Sequence, residues 1–161
     1  MSDPSPNPTE FVAPSLEELA PLFPAYEIEA FIAQGGMGAV YRATQRSLDR
    51  LVAIKILPRE FGEDESFRAS FEAEAKAMAK LNHPNLIGVY DFGDIDGMLF
   101  IVMEFVEGKA LYYSVHEKAI DPLVAFEMVS TISRGLAHAH AGGIIHRDIK
   151  PANILLDLEA N

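Results

Sequence analysis

Residues 146–153 read His-Arg-Asp-Ile-Lys-Pro-Ala-Asn, and this short segment contains the side chains best suited to chemistry. Asp148 can accept a proton, Lys150 can neutralise phosphate charge, and Asn153 can offer an amide oxygen to a metal ion. The segment lies between a predicted helix and an apolar run, so the three groups are expected on one loop. The alternative is a solvated charged loop with no chemical role.

A glycine-rich turn is the second segment of interest. Residues 34–40 read Gln-Gly-Gly-Met-Gly-Ala-Val and are predicted to join two strands. Without a Cβ, the backbone at Gly35 and Gly38 can come close to a phosphate chain and donate its N–H groups to phosphate oxygens. A plain flexible hairpin turn would contain the same residues, so a turn without a ligand is the alternative.

Lys55 ends the apolar segment Val52–Lys55, close to the glycine turn. An ammonium group in a strand needs counter-charges, which nucleotide phosphates and a glutamate from the following helix would supply. Glu74 is the candidate glutamate. Alternatively, Lys55 extends into solvent from the edge of a sheet.

The spacing of apolar side chains predicts the strands and helices that carry these residues. We predict strands over residues 26–33, 39–44, 51–57, 86–92 and 98–106, with an amphipathic helix over 66–81. The turn between the last two strands is placed at residues 93–97. A short helical segment is predicted from residue 109 to about 118, and a long helix over 122–141 that ends at a pair of glycines.

The first 25 residues differ from the rest in composition. Six of the ten prolines lie within residues 1–24, which predicts a largely disordered leader over residues 1–25. Within it, Ser15 stands three residues before Glu18, as in a capping box, and predicts one short helical turn that docks onto the domain.

The composition excludes several classes of protein. The 161 residues are 49% hydrophobic and carry a formal net charge of −11, which indicates a soluble globular chain and argues against a nucleic-acid partner. The absence of cysteine excludes disulfides and thiolate metal sites. No apolar run is long enough to span a bilayer and no signal peptide is evident. We expect a cytoplasmic protein with no membrane contact within this chain.

Residues 26–161 resemble the eukaryotic-type protein kinases found in bacteria, because the glycine turn, the Val-Ala-Ile-Lys strand and the His-Arg-Asp loop occur in that family's order. The resemblance implies an α+β, protein kinase-like fold. A five-stranded antiparallel small lobe with its C helix would cover residues 26–106, and the first helices of the large lobe would cover 107–161. It also implies ATP and Mg²⁺ as cofactors and transfer of the γ-phosphoryl group to a protein Ser or Thr.

The resemblance assigns roles to residues of the small lobe. Three positions match the glycine loop, although Ala33 stands where the family usually has glycine, which is expected to lower nucleotide affinity. Two residues would cover the adenine, Lys55 would contact the α- and β-phosphates, and a helix glutamate would pair with that lysine. Glu72 is the rival for the pairing. The implied residues are Ala33, Gly35, Gly38, Val40, Ala53, Lys55 and Glu74.

The resemblance assigns the remaining roles to the hinge and the catalytic loop. Met103 would be the gatekeeper, and the backbones of Glu104 and Val106 would meet the adenine edge. Leu155 would close the adenine pocket from below. In the catalytic loop, Asp148 would be the base, Lys150 would contact the transferred phosphoryl group and indicate Ser/Thr substrates, and Asn153 would bind magnesium. Arg147 would pair with a phosphorylated activation loop.

The family's Asp-Phe-Gly motif would follow Asn153 at a distance that falls beyond Asn161, so this chain is expected to be a fragment that is inactive alone. The alternative function is an ATP-binding or scaffold module without catalysis, and a third is a purely structural α/β domain. With part of the large lobe missing, the helix over 122–141 would keep uncovered apolar surface, which predicts self-association or poor solubility.

Overall fold

The main sheet has five strands, as the sequence predicts. The computed structural model describes residues 11–35, 37–115 and 119–158. Its strands run in the order β1-β2-β3-β5-β4. They are β1 (Tyr26–Gly35), β2 (Gly38–Gln45), β3 (Arg50–Ile56), β4 (Val89–Ile95) and β5 (Met98–Glu104).

The turn between β4 and β5 lies later than predicted. β4 continues to Ile95, and the turn centres on Asp96 and Gly97, whose φ angles are 50° and 77°. Two positive φ angles are typical of the two-residue turns that match the twist of paired strands, and Asp-Gly is a favoured sequence for them. The prediction placed the turn too early because Gly93 and Asp94 are also residues that favour turns.

The core of the sheet lies on one face of β2 and β3. Tyr41, Ile54 and Ile56 are fully buried there, and so are Ala39, Ala43 and Val52. Side chains alternate between the two faces of a strand, so Val40, Ala53 and Lys55 belong to the opposite face. That opposite face carries the small-lobe residues that the sequence analysis singled out.

Residues 11–25 pack against this core, so this part of the predicted leader is packed rather than disordered, and the prediction of disorder stays a prediction for residues 1–10. The short helix α1 (Leu16–Leu19) begins with the predicted capping box between Ser15 and Glu18. Leu19 and Phe23 are 0% and 3% exposed. Their burial explains why this Pro-rich segment is ordered, since its few apolar residues are enough to anchor it. Residues 1–10 lie outside the described residues.

The helices between β3 and β4 differ from the prediction at their ends. A short helix α2 (Arg59–Glu63), which was not predicted, comes before α3 (Glu65–Met78). Asp64 caps α3, because its carboxylate accepts hydrogen bonds from the backbone N–H groups of Ser66 at 2.8 Å and Phe67 at 3.1 Å. α3 is therefore the predicted amphipathic helix, and it ends at Met78 rather than Leu81.

The later part of the chain contains two helices and a small ribbon. The long helix α5 (Pro122–Ala141) has the predicted bounds, and Asp121 caps it. α4 (Leu111–Val115) falls within the predicted short helical segment, whose residues 116–118 lie outside the described part. β6 (Gly108–Ala110) and β7 (Leu155–Asp157) pair antiparallel, and this ribbon was not predicted. No helix in the described ranges is long and apolar enough to cross a membrane.

The chain divides into two compact units. The first unit is Met1–Glu72 with Phe92–Val102, and the second is Ala73–Asp91 with Met103–Asn161. The division falls within α3, β4 and β5. The predicted boundary between lobes at residue 106 stays a prediction.

Candidate functional site

The glycine turn joins β1 to β2, and its two described glycines differ in what they require. Gly38 has φ 121°, and a Cβ there would lie 2.1 Å from the carbonyl oxygen of Ile56. Glycine is therefore required at position 38 for two reasons, the positive φ angle and the lack of space for a Cβ against β3. A Cβ at Gly35 would meet nothing within 4 Å. Gly35 thus leaves open space that a ligand can use, while Gly36 lies outside the described residues.

Four predicted residues of the first unit share one face of the sheet. Ala33 pairs with Val40 across β1 and β2, and Val40 pairs with Lys55 across β2 and β3. Directly opposed residues of antiparallel strands point to the same face. Ala53, two residues before Lys55, belongs to that face as well. The structure therefore brings Ala33, Val40, Ala53 and Lys55 together, beside the glycine turn.

Lys55 lies on the central strand of the sheet, so the alternative of a lysine at a sheet edge is wrong. Burial lowers the pKa of its ammonium group. Among the described residues of the first unit, no carboxylate forms an ion pair with Lys55. An anion that reaches this face of the sheet would stabilise the half-buried ammonium group of Lys55.

In the second unit, Asp148, Lys150 and Asn153 form one hydrogen-bonded cluster, as the loop sequence predicts. Lys150 Nζ lies 2.8 Å from Asp148 Oδ2, and Asn153 Nδ2 donates to the same oxygen at 2.9 Å and to the Asp148 carbonyl at 2.8 Å. The hydrogen bonds from Lys150 and Asn153, together with the charge of Lys150, lower the pKa of Asp148. Asp148 is therefore an ionised acceptor at neutral pH.

The cluster leaves two oxygen atoms open. The side-chain hydrogen bonds that Asp148 accepts fall on Oδ2, so within the described ranges its Oδ1 remains available to accept a further proton. Because Asn153 uses its amide nitrogen toward Asp148, its Oδ1 points to the other side and can bind a cation. The arrangement places a carboxylate, an ammonium group and an open amide oxygen on one exposed loop.

Local backbone geometry holds the loop in this form. Arg147 has φ 63°, and Asp148 N donates to His146 Nδ1 at 3.3 Å. A 3-10 turn over Pro151–Asn153 follows, with Asn153 N donating to Lys150 O at 2.9 Å. These bonds turn the chain sharply and place the Asp148 and Asn153 side chains against each other.

The ribbon of β6 and β7 connects the predicted hinge to this loop within the second unit. Leu155 pairs with Ala110, and Leu158 N donates to Glu107 O at 3.1 Å. Leu155 is 42% exposed, which leaves its side chain free to cover a ligand. Sequence reasoning missed the ribbon because each of its strands has only three residues, too few for a period-two pattern.

The predicted hinge residues end β5 and begin the following loop. Glu104 N donates to Gly88 O at 2.8 Å, and Gly88 N donates to the Glu104 carboxylate at 3.2 Å. Met103 is half-buried. In the described part of the chain, neither the N–H nor the C=O of Val106 makes a backbone hydrogen bond. Both groups of Val106 are thus available to a planar polar ligand.

Glu74 is exposed on α3, three residues after the buried Phe71 and one before the buried Ala75. This position places it beside the packed stripe of the helix. The pairing of Glu74 with Lys55 stays a prediction, as does the choice of Glu74 over Glu72.

The described residues contain no cluster of three or more His, Cys, Asp or Glu side chains that could hold a metal ion. The open amide oxygen of Asn153 would suit a magnesium ion that is shared with ligand phosphates, because Mg²⁺ keeps several waters and takes few protein ligands at such sites.

Comparison with known proteins agrees with these features. The family Protein kinase domain matches residues 26–161. Serine/threonine-protein kinase pkn3 of Myxococcus xanthus is 45% identical over 138 residues, which are 84% of this chain and 25% of that protein. Serine/threonine-protein kinase PrkC of Bacillus subtilis is 43% identical over 137 residues, 84% of this chain and 21% of that protein. The chain thus spans about a quarter or less of these relatives.

Solved structures give the same result for the fold. The crystal structure of the Mycobacterium tuberculosis PknI kinase domain superposes with a TM-score of 0.76 at 29% identity, covering 83% of this chain and 54% of that one. The predicted α+β, protein kinase-like fold with its five-stranded sheet is confirmed. The match of the family over residues 26–161 places the chain in the protein kinase domain family.

Proposed function

We propose that this chain carries ATP-binding and phosphoryl-transfer residues of a protein serine/threonine kinase. The single observation that supports this most is the cluster of Asp148, Lys150 and Asn153, in which one carboxylate oxygen and one amide oxygen remain open. A proton acceptor beside a cation and a metal-binding oxygen is what transfer of a phosphoryl group to a hydroxyl requires.

The nucleotide would lie against the face that carries Ala33, Val40, Ala53 and Lys55. The small side chains on that face leave room for a flat base, and the half-buried Lys55 attracts phosphate. Gly35 would let the backbone approach the phosphate chain, since nothing lies where its Cβ would be. Ala33 keeps its Cβ, and we expect it to lower affinity relative to glycine.

The remaining nucleotide contacts would come from the second unit. The free N–H and C=O of Val106, with the carbonyl of Glu104, would meet the adenine edge, and Met103 and Leu155 would bound the base. Glu74 would pair with Lys55. ATP with its magnesium ion would supply the phosphoryl group and neutralise part of the phosphate charge.

In this proposal each residue of the loop has one task. Asp148 Oδ1 orients the substrate hydroxyl and accepts its proton, which its lowered pKa allows because the carboxylate is ionised at neutral pH. Lys150 would contact the transferred phosphoryl group and neutralise part of its charge, and Asn153 Oδ1 would hold the magnesium ion. Arg147, exposed beside Asp148, would bind a phosphorylated residue of an activation loop. The relatives named serine/threonine-protein kinases support a protein Ser or Thr as substrate.

The test compares Asp148→Asn with Asp49→Asn in the protein as the cell produces it. Asp49 is exposed in a turn with φ 47°, a conformation that asparagine tolerates, so its replacement is a matched control. Transfer of labelled γ-phosphate to casein should fall by about 10²- to 10⁴-fold for Asp148→Asn, which is what loss of a general base costs. ATP affinity should stay within a factor of about two, because Asp148 is proposed to act on the acceptor hydroxyl.

Two outcomes would contradict the proposal in different ways. Unchanged transfer in Asp148→Asn would remove Asp148 from the reaction. ATP binding without any transfer in the unchanged protein would favour the alternative of an ATP-binding or scaffold module.

A further inference from the structure

An N-terminal segment outside the matched family residues is built into the first unit. Residues 11–23 precede the family match, which begins at residue 26. Leu19 and Phe23 are buried in the core cluster, and the Phe23 ring meets the Phe100 ring edge to face at 5.1 Å. Phe11, Ala13 and Leu16 pack against the same cluster. We call residues 11–23 the N-terminal brace.

Two side chains of the β1–β2 hairpin donate hydrogen bonds to the brace. Gln34 Nε2 donates to the carbonyl of Phe11 at 2.5 Å, and Tyr41 Oη donates to the carbonyl of Pro14 at 2.7 Å. Both acceptors are backbone atoms, so each bond depends on the path of the brace rather than on a particular side chain. Both donors reach across more than twenty residues of sequence.

The two donors lie on opposite sides of the glycine turn. Gln34 is the residue before Gly35 on β1 and pairs with Ala39. Tyr41 lies on β2, where it pairs with Phe31, and the two rings are 5.7 Å apart. Burial, and then the charge of Glu18, raise the pKa of Tyr41, so its hydroxyl remains a donor throughout the neutral range. The brace therefore holds both strands that lead into the turn.

We propose that the N-terminal brace restrains the glycine turn for nucleotide binding, with Gln34 and Tyr41 as positioning residues. The proposal rests on the proposed function for its ligand. Glycine-rich backbone has many accessible conformations, and ordering it on binding lowers affinity. A turn whose two strands are already held loses less conformational freedom when a nucleotide binds.

The experiment measures amide hydrogen exchange at residues 35, 37, 38 and 39 without nucleotide, and then ATP affinity by fluorescence titration. The variants are Gln34→Ala and Tyr41→Phe. Gln34 is exposed, so its replacement leaves the core intact. Losing one net hydrogen bond should speed exchange at the turn and weaken ATP binding, each by roughly two- to tenfold.

Thr44→Val is the matched control, because it removes the Thr44–Glu29 hydrogen bond at the far end of the same two strands. It should lower the melting temperature without changing exchange at the turn or ATP affinity. The brace proposal is overturned if Gln34→Ala and Tyr41→Phe leave exchange at the turn as slow as Thr44→Val does. If exchange speeds up but the unchanged chain binds no ATP, the restraint is supported and the proposed function fails instead.

Discussion

Replacing Gly35 and Gly38 of the turn separately by alanine should distinguish a residue that folding requires from one that ligand binding requires. Gly38 has φ 121°, and its added Cβ would lie 2.1 Å from Ile56 O and 3.1 Å from Leu57 Cα. The backbone conformation costs a non-glycine residue about 1–3 kcal/mol. Forcing an atom into packed backbone costs about 1–3 kcal/mol more. We expect Gly38→Ala to lose about 4 kcal/mol of unfolding free energy in all.

Gly35→Ala is the matched substitution. Its Cβ would meet nothing within 4 Å, and Gly35 is not among the positive-φ glycines. Its unfolding free energy should therefore change by no more than about 0.5 kcal/mol. In a chain of this size, we expect the melting temperature to fall by about 8–16 °C for Gly38→Ala and by about 2 °C or less for Gly35→Ala.

For nucleotide binding we expect the larger effect at Gly35, although the larger loss of stability is expected at Gly38. An added methyl group at Gly35 occupies the space proposed for the phosphate chain, so ATP affinity should fall by about tenfold or more. Circular dichroism melting and ATP titration on the same samples provide both numbers. Equal loss of melting temperature in the two variants would refute the steric reasoning at Gly38. Unchanged ATP affinity in Gly35→Ala would show that phosphates do not approach Gly35.

Three further predictions follow from the charges and the exposed apolar surface. Lys55→Met should raise the melting temperature without nucleotide, because it removes a half-buried charge whose desolvation opposes folding, and should abolish ATP binding. Because the pKa of Lys55 is lowered in the folded state, the folded chain loses this proton at a lower pH than the unfolded chain does. The unfolding free energy of the unchanged chain should therefore rise with pH between the folded and unfolded pKa of Lys55. Thermal melts of Lys55→Met at a series of pH values should lack this rise. Lys150→Ala removes the hydrogen bond that lowers the pKa of Asp148, so the acid limb of the pH–rate profile should move to higher pH. Leu123 and Phe126 are 75% and 73% exposed on α5, so replacing both by serine should weaken self-association by roughly tenfold or more in sedimentation velocity.

Much of the fold could be predicted from the sequence because its signals are local. Asp121, Pro122 and Gly142 mark the ends of α5, and both ends were predicted correctly. The capping box of Ser15 and Glu18 is also a local pattern, since it needs only three residues of separation. The β6–β7 ribbon and the short helix α2 were missed, because each is too short to show a period.

Local sequence was enough to predict the cluster of Asp148, Lys150 and Asn153, since the three residues lie within six positions and chain geometry keeps them close. The folded structure was needed to show that Lys55 is on a central strand, that Ala33 and Val40 lie in register with it, and that residues 11–23 are packed rather than free. The difference comes from separation along the sequence. Register and docking depend on which faces are buried by residues far apart in the chain, and no local spacing records that burial.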